Sequence, residues 1–301
     1  MTRHPDSDGL LSEYLRRLTR LRTDVNAGHY PDQPSHRAPH KPILLLSVMD
    51  LVAEGSVADN FIELSPDLVE VFSLYWSRVM PRDRRGIPVY PFFHLRSDGF
   101  WHLVPRPGKE EILQATTTVS SANRLRELVR GARLDEELFA LLLDPESREV
   151  LRAAVLEQYF APEVRPALLA QAQVNVQAYR YSLDLLDAAR SEPFGGASLA
   201  AEALPPPARD QGFRRAVVTA YEHRCSFCGI RMTTPDGHTV VEAAHIVPWS
   251  ESRNDDPRNG LALCRLCHWT FDEGLLGLSA VYVILASPQL TGNGNVPAHL
   301  G

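Results

Sequence analysis

An α+β fold follows from three features of this 301-residue chain. Leucine-rich segments at helical spacing dominate its first two-thirds, and a pair of β-prone aromatic runs flanks Ser97-Asp98-Gly99. All four cysteines fall near the C-terminal end, as Cys225-Ser-Phe-Cys228 and Cys264-Arg-Leu-Cys267. The expectation is a mainly helical N-terminal domain with one β-hairpin, followed by a small domain built around the cysteines. With 44% apolar residues and no apolar run near the ~18 residues of a membrane helix, two or three globular domains are expected and no membrane association.

The first helix is expected over residues 10–25, where Leu10, Leu11, Tyr14, Leu15, Leu18 and Leu21 recur on one face with arginines between them. Asn26-Ala27-Gly28 ends it. A polar loop (31–39) precedes a buried helix that opens at Pro42, runs to about Glu54 and is stopped by Gly55. Ser65 is a good N-cap for the next helix, with Pro66 in the first turn, where its missing N–H costs nothing. Residues 90–95 and 100–104 are expected to pair as the hairpin, turned at Ser97-Asp98-Gly99. Leucine spacing over 123–177 predicts several short amphipathic helices, and 179–190 another. Residues 191–207, rich in Gly, Ala and Pro, read as a linker. A helix over 210–223, with Phe213, Val217, Val218 and Tyr221 on one side, leads to the first cysteine pair. Residues 240–245 read as a strand ending near His245, because Pro248 cannot continue a ladder. The chain from Leu263 onward would open a helix, and 280–285 is a last β-prone segment. The expected domains are 1–165, a helical connector and linker at 166–207, and 208–301.

The cysteine spacing carries chemistry. Two Cys-x-x-Cys knuckles 35 residues apart present four thiolates suited to a tetrahedral Zn2+, each knuckle aiming two sulfurs at one point. Two disulfides or four unrelated core cysteines are the alternatives, but residues 1–9 are polar and charged and show no secretory signal, which argues against an oxidising compartment. A structural zinc site and a cytoplasmic location are therefore expected.

Between and after the knuckles stand Glu242-Ala-Ala-His245-Ile-Val-Pro-Trp, Asn259-Gly-Leu-Ala-Leu-Cys264-Arg-Leu-Cys267-His268 and Trp269-Thr-Phe-Asp. This pattern resembles the HNH nuclease family, in the branch whose ββα-metal unit is braced by a four-cysteine zinc site, over roughly residues 213–285. The resemblance implies that His245 is the general base that activates water, a task suited to imidazole because its pKa lies near neutrality. It implies that His268 ligates a catalytic divalent ion and that Asn259 shapes the site loop or ligates that ion. One common form of the motif has an acidic residue or a His directly before the base, where this chain has Ala244. Glu242 lies two steps earlier on the same strand face and is expected to offer a carboxylate, directly or through water. Imidazole and amide ligands favour Mn2+, Co2+ or Ni2+ over Mg2+.

Net charge is −6, which does not by itself suggest a polyanion partner. The acid excess is concentrated in residues 108–204, with 10 basic and 15 acidic residues, whereas residues 1–107 hold 13 of each. Lys41 and Lys109 are the two lysines, so nearly all cationic groups are arginines, the better fork for phosphates and base edges.

Arg37-Ala-Pro-His40-Lys41-Pro-Ile-Leu-Leu-Leu, then Tyr90-Pro91-Phe-Phe-His94-Leu and Ser97-Asp98-Gly99-Phe-Trp, resemble the sulfur-binding domain of phosphorothioate-dependent type IV restriction endonucleases, over about residues 10–165. The resemblance implies an aromatic lid at Tyr90, a proline base at Pro91, and phosphate contacts from Arg37, His40 and Lys41. Sulfur is larger, softer and more weakly hydrated than the oxygen it replaces, so an apolar cup selects it. His94 stands where a small apolar wall residue is expected, which leaves a modified base as the alternative target. The sequence thus predicts a mainly helical N-terminal reader domain with a β-hairpin and a small zinc-braced ββα-metal HNH nuclease domain. Expected partners are modified double-stranded DNA and a second copy of the chain, because one such site cuts one strand. The rival readings are an endonuclease directed by methylated or hydroxymethylated cytosine, and a zinc-braced DNA-binding regulator without cleavage.

Overall fold

The computed structural model describes residues 5–191, 193–194, 204–234 and 237–292. It divides the chain into two compact units, Met1–Val176 with Pro235–His238, and Gln177–Thr234 with Thr239–Gly301. The division falls within the stretch expected as a connector. Of the expected linker, residues 192 and 195–203 lie outside the described residues.

The first unit is built from α1 (Pro5–Leu18), α2 (His40–Glu54), α3 (Pro66–Val79), α4 (Val89–His94), β1 (Trp101–Pro105), α5 (Glu110–Ala115), α6 (Ala122–Leu128), β2 (Val129–Leu134), α7 (Glu136–Leu143), α8 (Pro145–Tyr159) and the first part of α9 (Arg165–Ser191). Helix α1 ends at Leu18, earlier than its leucine spacing suggests. The Tyr159 hydroxyl donates to the Leu18 carbonyl (3.0 Å) and accepts from the Leu21 N–H (2.8 Å), so the chain leaves the helix where α8 caps it. Helix α2 is buried along nearly its whole length, as its run of leucines implies. It stops as expected at Gly55, whose φ of 87° is open to glycine. Ser65 caps α3 as expected, its hydroxyl accepting from the Leu68 N–H at 3.2 Å.

The expected hairpin is corrected. Residues Val89–His94 form a helix, although their aromatic side chains favour a strand. Pro91 has no N–H to give to a ladder, and the adjacent Phe92 and Phe93 are both buried, which a half-exposed strand would forbid. Strand β1 instead pairs antiparallel with β2, from Trp101 opposite Leu134 to Pro105 opposite Val129. β2 lies inside the stretch expected to be wholly helical. Residues 165–191, expected as the end of one helix and a separate second one, are the single helix α9, which has no Gly or Pro after Pro166 to break it.

Asp50 sits on α2 with no solvent exposure and gathers four helices. Arg152 of α8 places Nη1 2.8 Å from its Oδ1, while Tyr75 Oη of α3 and Asn175 Nδ2 of α9 donate to Oδ2 at 2.7 and 2.8 Å. Gln171 in turn donates to Asn175 and accepts from Arg78. A charge this deep is stable only when paired and hydrogen-bonded.

The second unit holds the rest of α9, then α10 (Pro206–Ala220), β3 (Val241–His245), α11 (Trp249–Ser252), β4 (Gly260–Cys264), α12 (Arg265–Asp272), β5 (Leu276–Leu278), β6 (Ile284–Ala286) and α13 (Gln289–Gly292). Helix α10 begins four residues earlier than expected, with prolines in its first turn, where they are tolerated. β3 and β4 pair antiparallel, with Val241 opposite Cys264 and His245 opposite Gly260. Leu263 and Cys264 therefore end a strand and do not begin the helix. The last β-prone run forms one arm of the β5–β6 pair, shifted to residues 284–286. Among the described residues, no helix is long and apolar enough to cross a membrane.

Arg152→Ala leaves Asp50 buried without its counter-charge. The expected cost to the first unit is about 3–5 kcal/mol, read from urea unfolding; a loss below about 1 kcal/mol would show that Arg152 is not neutralising a charge there.

Candidate functional site

Four sulfurs organise the second unit. Cys225 and Cys228 stand on a tight turn closed by Gly229 N–H donating to the Cys225 carbonyl at 3.0 Å. Cys264 ends β4 and caps α12, and Cys267 lies in the first turn of that helix. Their four Sγ atoms lie within 4.8 Å of one another, and Cys228 and Cys264 are 3.8 Å apart. A tetrahedral ion with metal–sulfur bonds of ~2.3 Å separates its sulfurs by about 3.8 Å, so the donors fit such an ion. Burial, and then the neighbouring Cys225, push the Cys267 thiol far up, a conflict that a divalent cation removes. Among the described residues no other set of three His, Cys, Asp or Glu converges as closely.

Strand β3, the turn before β4 and helix α12 carry the remaining motif residues, in two groups. His245 ends β3, with its ring stacked flat on Phe213 of α10 at 3.8 Å and 4°. Its Nε2 lies 2.8 Å from Oδ1 of Asp255, whose side chain is 1% exposed. Gly260, opposite His245, lets β4 approach α10 closely: a Cβ there would meet Val217 Cγ2 at 2.4 Å and Phe213 Cζ at 3.1 Å. Asn259 is buried and turned to its own loop. Its Oδ1 accepts from the Val247 N–H, and its Nδ2 donates to the carbonyls of Val247 and Asn254, each at 3.0 Å.

The second group surrounds His268 on α12. Glu242 Oε2 lies 3.4 Å from its Nδ1 and Asp272 Oδ2 3.6 Å from its Nε2, while Arg265 approaches Glu242 at 3.8 Å. Asp272 was missed in the sequence, although its i+4 spacing from His268 on a helix is a readable signal. Asp255 was missed as well. It lies in the Asp-Asp-Pro-Arg-Asn run, and nothing local marks it as the partner of a residue ten positions earlier. No hydrogen bond joins the His268 group to the His245 group among the described residues.

In the first unit, a cavity of about 470 Å3 gathers five of the six residues singled out there: His40, Lys41, Tyr90, Pro91 and His94. Tyr90 is 40% exposed at its rim and Pro91 is buried. Arg37 is not in the lining. It donates from Nη1 to Thr23 Oγ1 at 3.2 Å, and Thr23 does line the cavity. The basic stretch differs from expectation in its charge. Lys41 Nζ is 2.6 Å from Asp98 Oδ2 in a nearly dry ion pair that ties α2 to the turn after α4. His40 packs 4.5 Å from the Trp76 ring, and burial pushes its imidazole down to about 4, against the opposing pull of Asp24. Burial, then Lys41 and Arg96, lower His94 too. Arg22, Asp24 and Tyr30 also line the cavity. Arg22 was read only as part of a helix face.

Because His40 takes up its proton near pH 4 when folded and near 6.5 when unfolded, its contribution to stability is complete above pH 6.5 and is lost as pH falls toward 4. His40→Phe is expected to remove roughly 2–3 kcal/mol of the stability change between pH 7 and pH 4, measured by urea unfolding at each pH.

Two family models match different parts of the chain. The HNH endonuclease family model matches residues 225–279, and the model for the ScoMcrA-like DNA sulfur-binding domain matches residues 12–177. A search of curated proteins finds no match. Among solved structures, the sulfur binding domain of SprMcrA complexed with phosphorothioated DNA is similar, at 23% identity and a TM-score of 0.40, over 54% of this chain and 93% of that one. With a match over more than half of its length, the chain belongs to the ScoMcrA-like DNA sulfur-binding domain family, and it carries an HNH endonuclease domain after that region.

Proposed function

We propose that this protein is a type IV-like restriction enzyme that binds phosphorothioate-modified DNA through its first unit and hydrolyses phosphodiester bonds with its HNH domain. The observation that carries the reading is the presence, in one chain, of a sulfur-binding family domain whose cavity holds Tyr90, Pro91 and His94 and an HNH domain whose His245 is held at the end of a strand. Tyr90 and Pro91 offer the apolar surface on which a weakly hydrated sulfur rests, while an oxygen there would lose hydration for no return. Arg22 and Arg37 contact flanking phosphates. Lys41 and His40 act through the shape of the cavity, since one is paired and the other neutral.

In the nuclease domain His245 accepts a proton from the attacking water. Asn259 keeps the loop between β3 and β4 in shape. The four cysteines hold a structural Zn2+. Glu242 and His268 would hold a divalent ion, Mn2+ above all, which when bound neutralises charge on the phosphoryl and leaving oxygens. Such an enzyme acts on DNA in the cytoplasm. His94 favours a second reading: a polar cavity wall is better suited to the edge of a modified cytosine than to sulfur.

Matched duplexes carrying phosphorothioate, methylated or hydroxymethylated cytosine, or neither, decide between the readings. Phosphorothioate DNA is expected to bind at least ~10-fold more tightly than the plain duplex and to be cleaved in Mn2+, whereas His245→Ala binds equally and cuts at least ~100-fold more slowly. Preference for modified cytosine would install the second reading. Equal binding to all duplexes would remove both, and unchanged cleavage by His245→Ala would remove the mechanism. Double-strand breaks require two such sites, so light scattering on modified DNA is expected to report two chains per cleaved duplex; breaks accumulating from a monomeric complex would defeat the homodimer.

A further inference from the structure

We infer that Asp255 is the positioning residue of the nuclease site, its carboxylate holding His245 as the Nε2–H tautomer so that Nδ1 is the proton acceptor. The inference deepens, and rests on, the reading of His245 as general base. A neutral imidazole has one donor and one acceptor nitrogen, while an ionised carboxylate only accepts. The 2.8 Å contact between Nε2 and Asp255 Oδ1 therefore assigns the ring proton to Nε2.

Every neighbour of this carboxylate supports that assignment. Its second oxygen accepts from the Tyr181 hydroxyl of α9 at 3.0 Å and faces Arg209 Nε of α10 at 3.7 Å. Burial and Asp255 together push the Tyr181 hydroxyl far above its ordinary range, so Tyr181 donates at any working pH. Arg209 is in turn held over the Trp249 ring of α11, 4.1 Å from its centroid, and pairs with Asp210. The Phe213 stack fixes the plane of the His245 ring, and the hydrogen bond to Asp255 fixes its rotation within that plane.

The arrangement has a chemical consequence. As one water O–H bond breaks, its proton goes to Nδ1, the water oxygen bonds to phosphorus, and the P–O ester bond to the leaving strand breaks. The imidazolium that results keeps its Nε2–H on the Asp255 carboxylate, a charge-assisted hydrogen bond that strengthens as the reaction proceeds.

The test uses the full-length chain labelled with 15N-histidine. Long-range 1H–15N correlation at alkaline pH, with the His245 signals assigned by their loss in His245→Ala, is expected to show a proton on Nε2 and none on Nδ1. A ring protonated on Nδ1 overturns the proposal without any variant. Asp255→Ala is expected to lose the tautomer preference and to lower kcat by ~100-fold, with KM for DNA within about threefold and metal content unchanged. An unaltered tautomer or wild-type kcat in that variant also overturns it. Failure of the general-base reading appears separately, as cleavage that persists in His245→Ala, and would leave the tautomer assignment without a catalytic role.

Discussion

The second unit depends on four sulfur atoms meeting at one point. Among the described residues between Cys225 and Cys267 the regular structure is two five-residue strands, one turn of α-helix, one 3-10 turn and the start of α12, too little to bury a self-sufficient core. Cys264 belongs to a strand and a helix at once, and Cys225 and Cys228 anchor the turn beside them. An ion held by these four sulfurs would fix, through its ligand geometry, the angle at which α12 leaves β4. The residues proposed for chemistry hang from that angle. It brings His268 to Glu242, and the pairing of β3 with β4 then fixes His245 opposite Gly260.

The first unit reaches rigidity by another route. Helix α2 is the buried centre, and its one deep carboxylate, Asp50, draws partners from three other helices. The same helix begins with His40 and Lys41, so the wall of the cavity is the end of the core's most constrained element. The Lys41–Asp98 pair extends the constraint to the turn after α4, and with it to His94.

What the sequence disclosed is what chemistry makes local. Cysteine pairs must be spaced to share an ion, Ser65 and Gly55 must sit at helix ends, and His245 must precede a proline-bearing turn. The structure obscures other choices by making them at a distance. Val89–His94 was β-prone by composition, but two adjacent phenylalanines sinking into one core made it a helix. Strand β2 carries Arg130, Gly131 and Arg133, a pattern with no strand signal until β1 lies beside it. Asp255 acquires its role from Tyr181, 74 positions away, and from a ring ten residues before it. The charge states were the least legible, since nothing in Arg37-Ala-Pro-His40-Lys41 says that the imidazole will be dry and the ammonium already paired.

That closed pair bears on how DNA would be held. Each phosphate neutralised by a free cation releases condensed counterions and steepens the dependence of affinity on salt. With Lys41 bound to Asp98 and both cavity histidines held neutral, those three groups would add little to that release, which would fall to Arg22 and Arg37. On the proposed reading, the share of Tyr90 and Pro91 in recognition would be desolvation of one soft atom, which ionic strength barely touches. Rising salt would then strip away attachment to ordinary DNA faster than attachment to the marked site, leaving discrimination sharper in a concentrated cell interior than in dilute buffer.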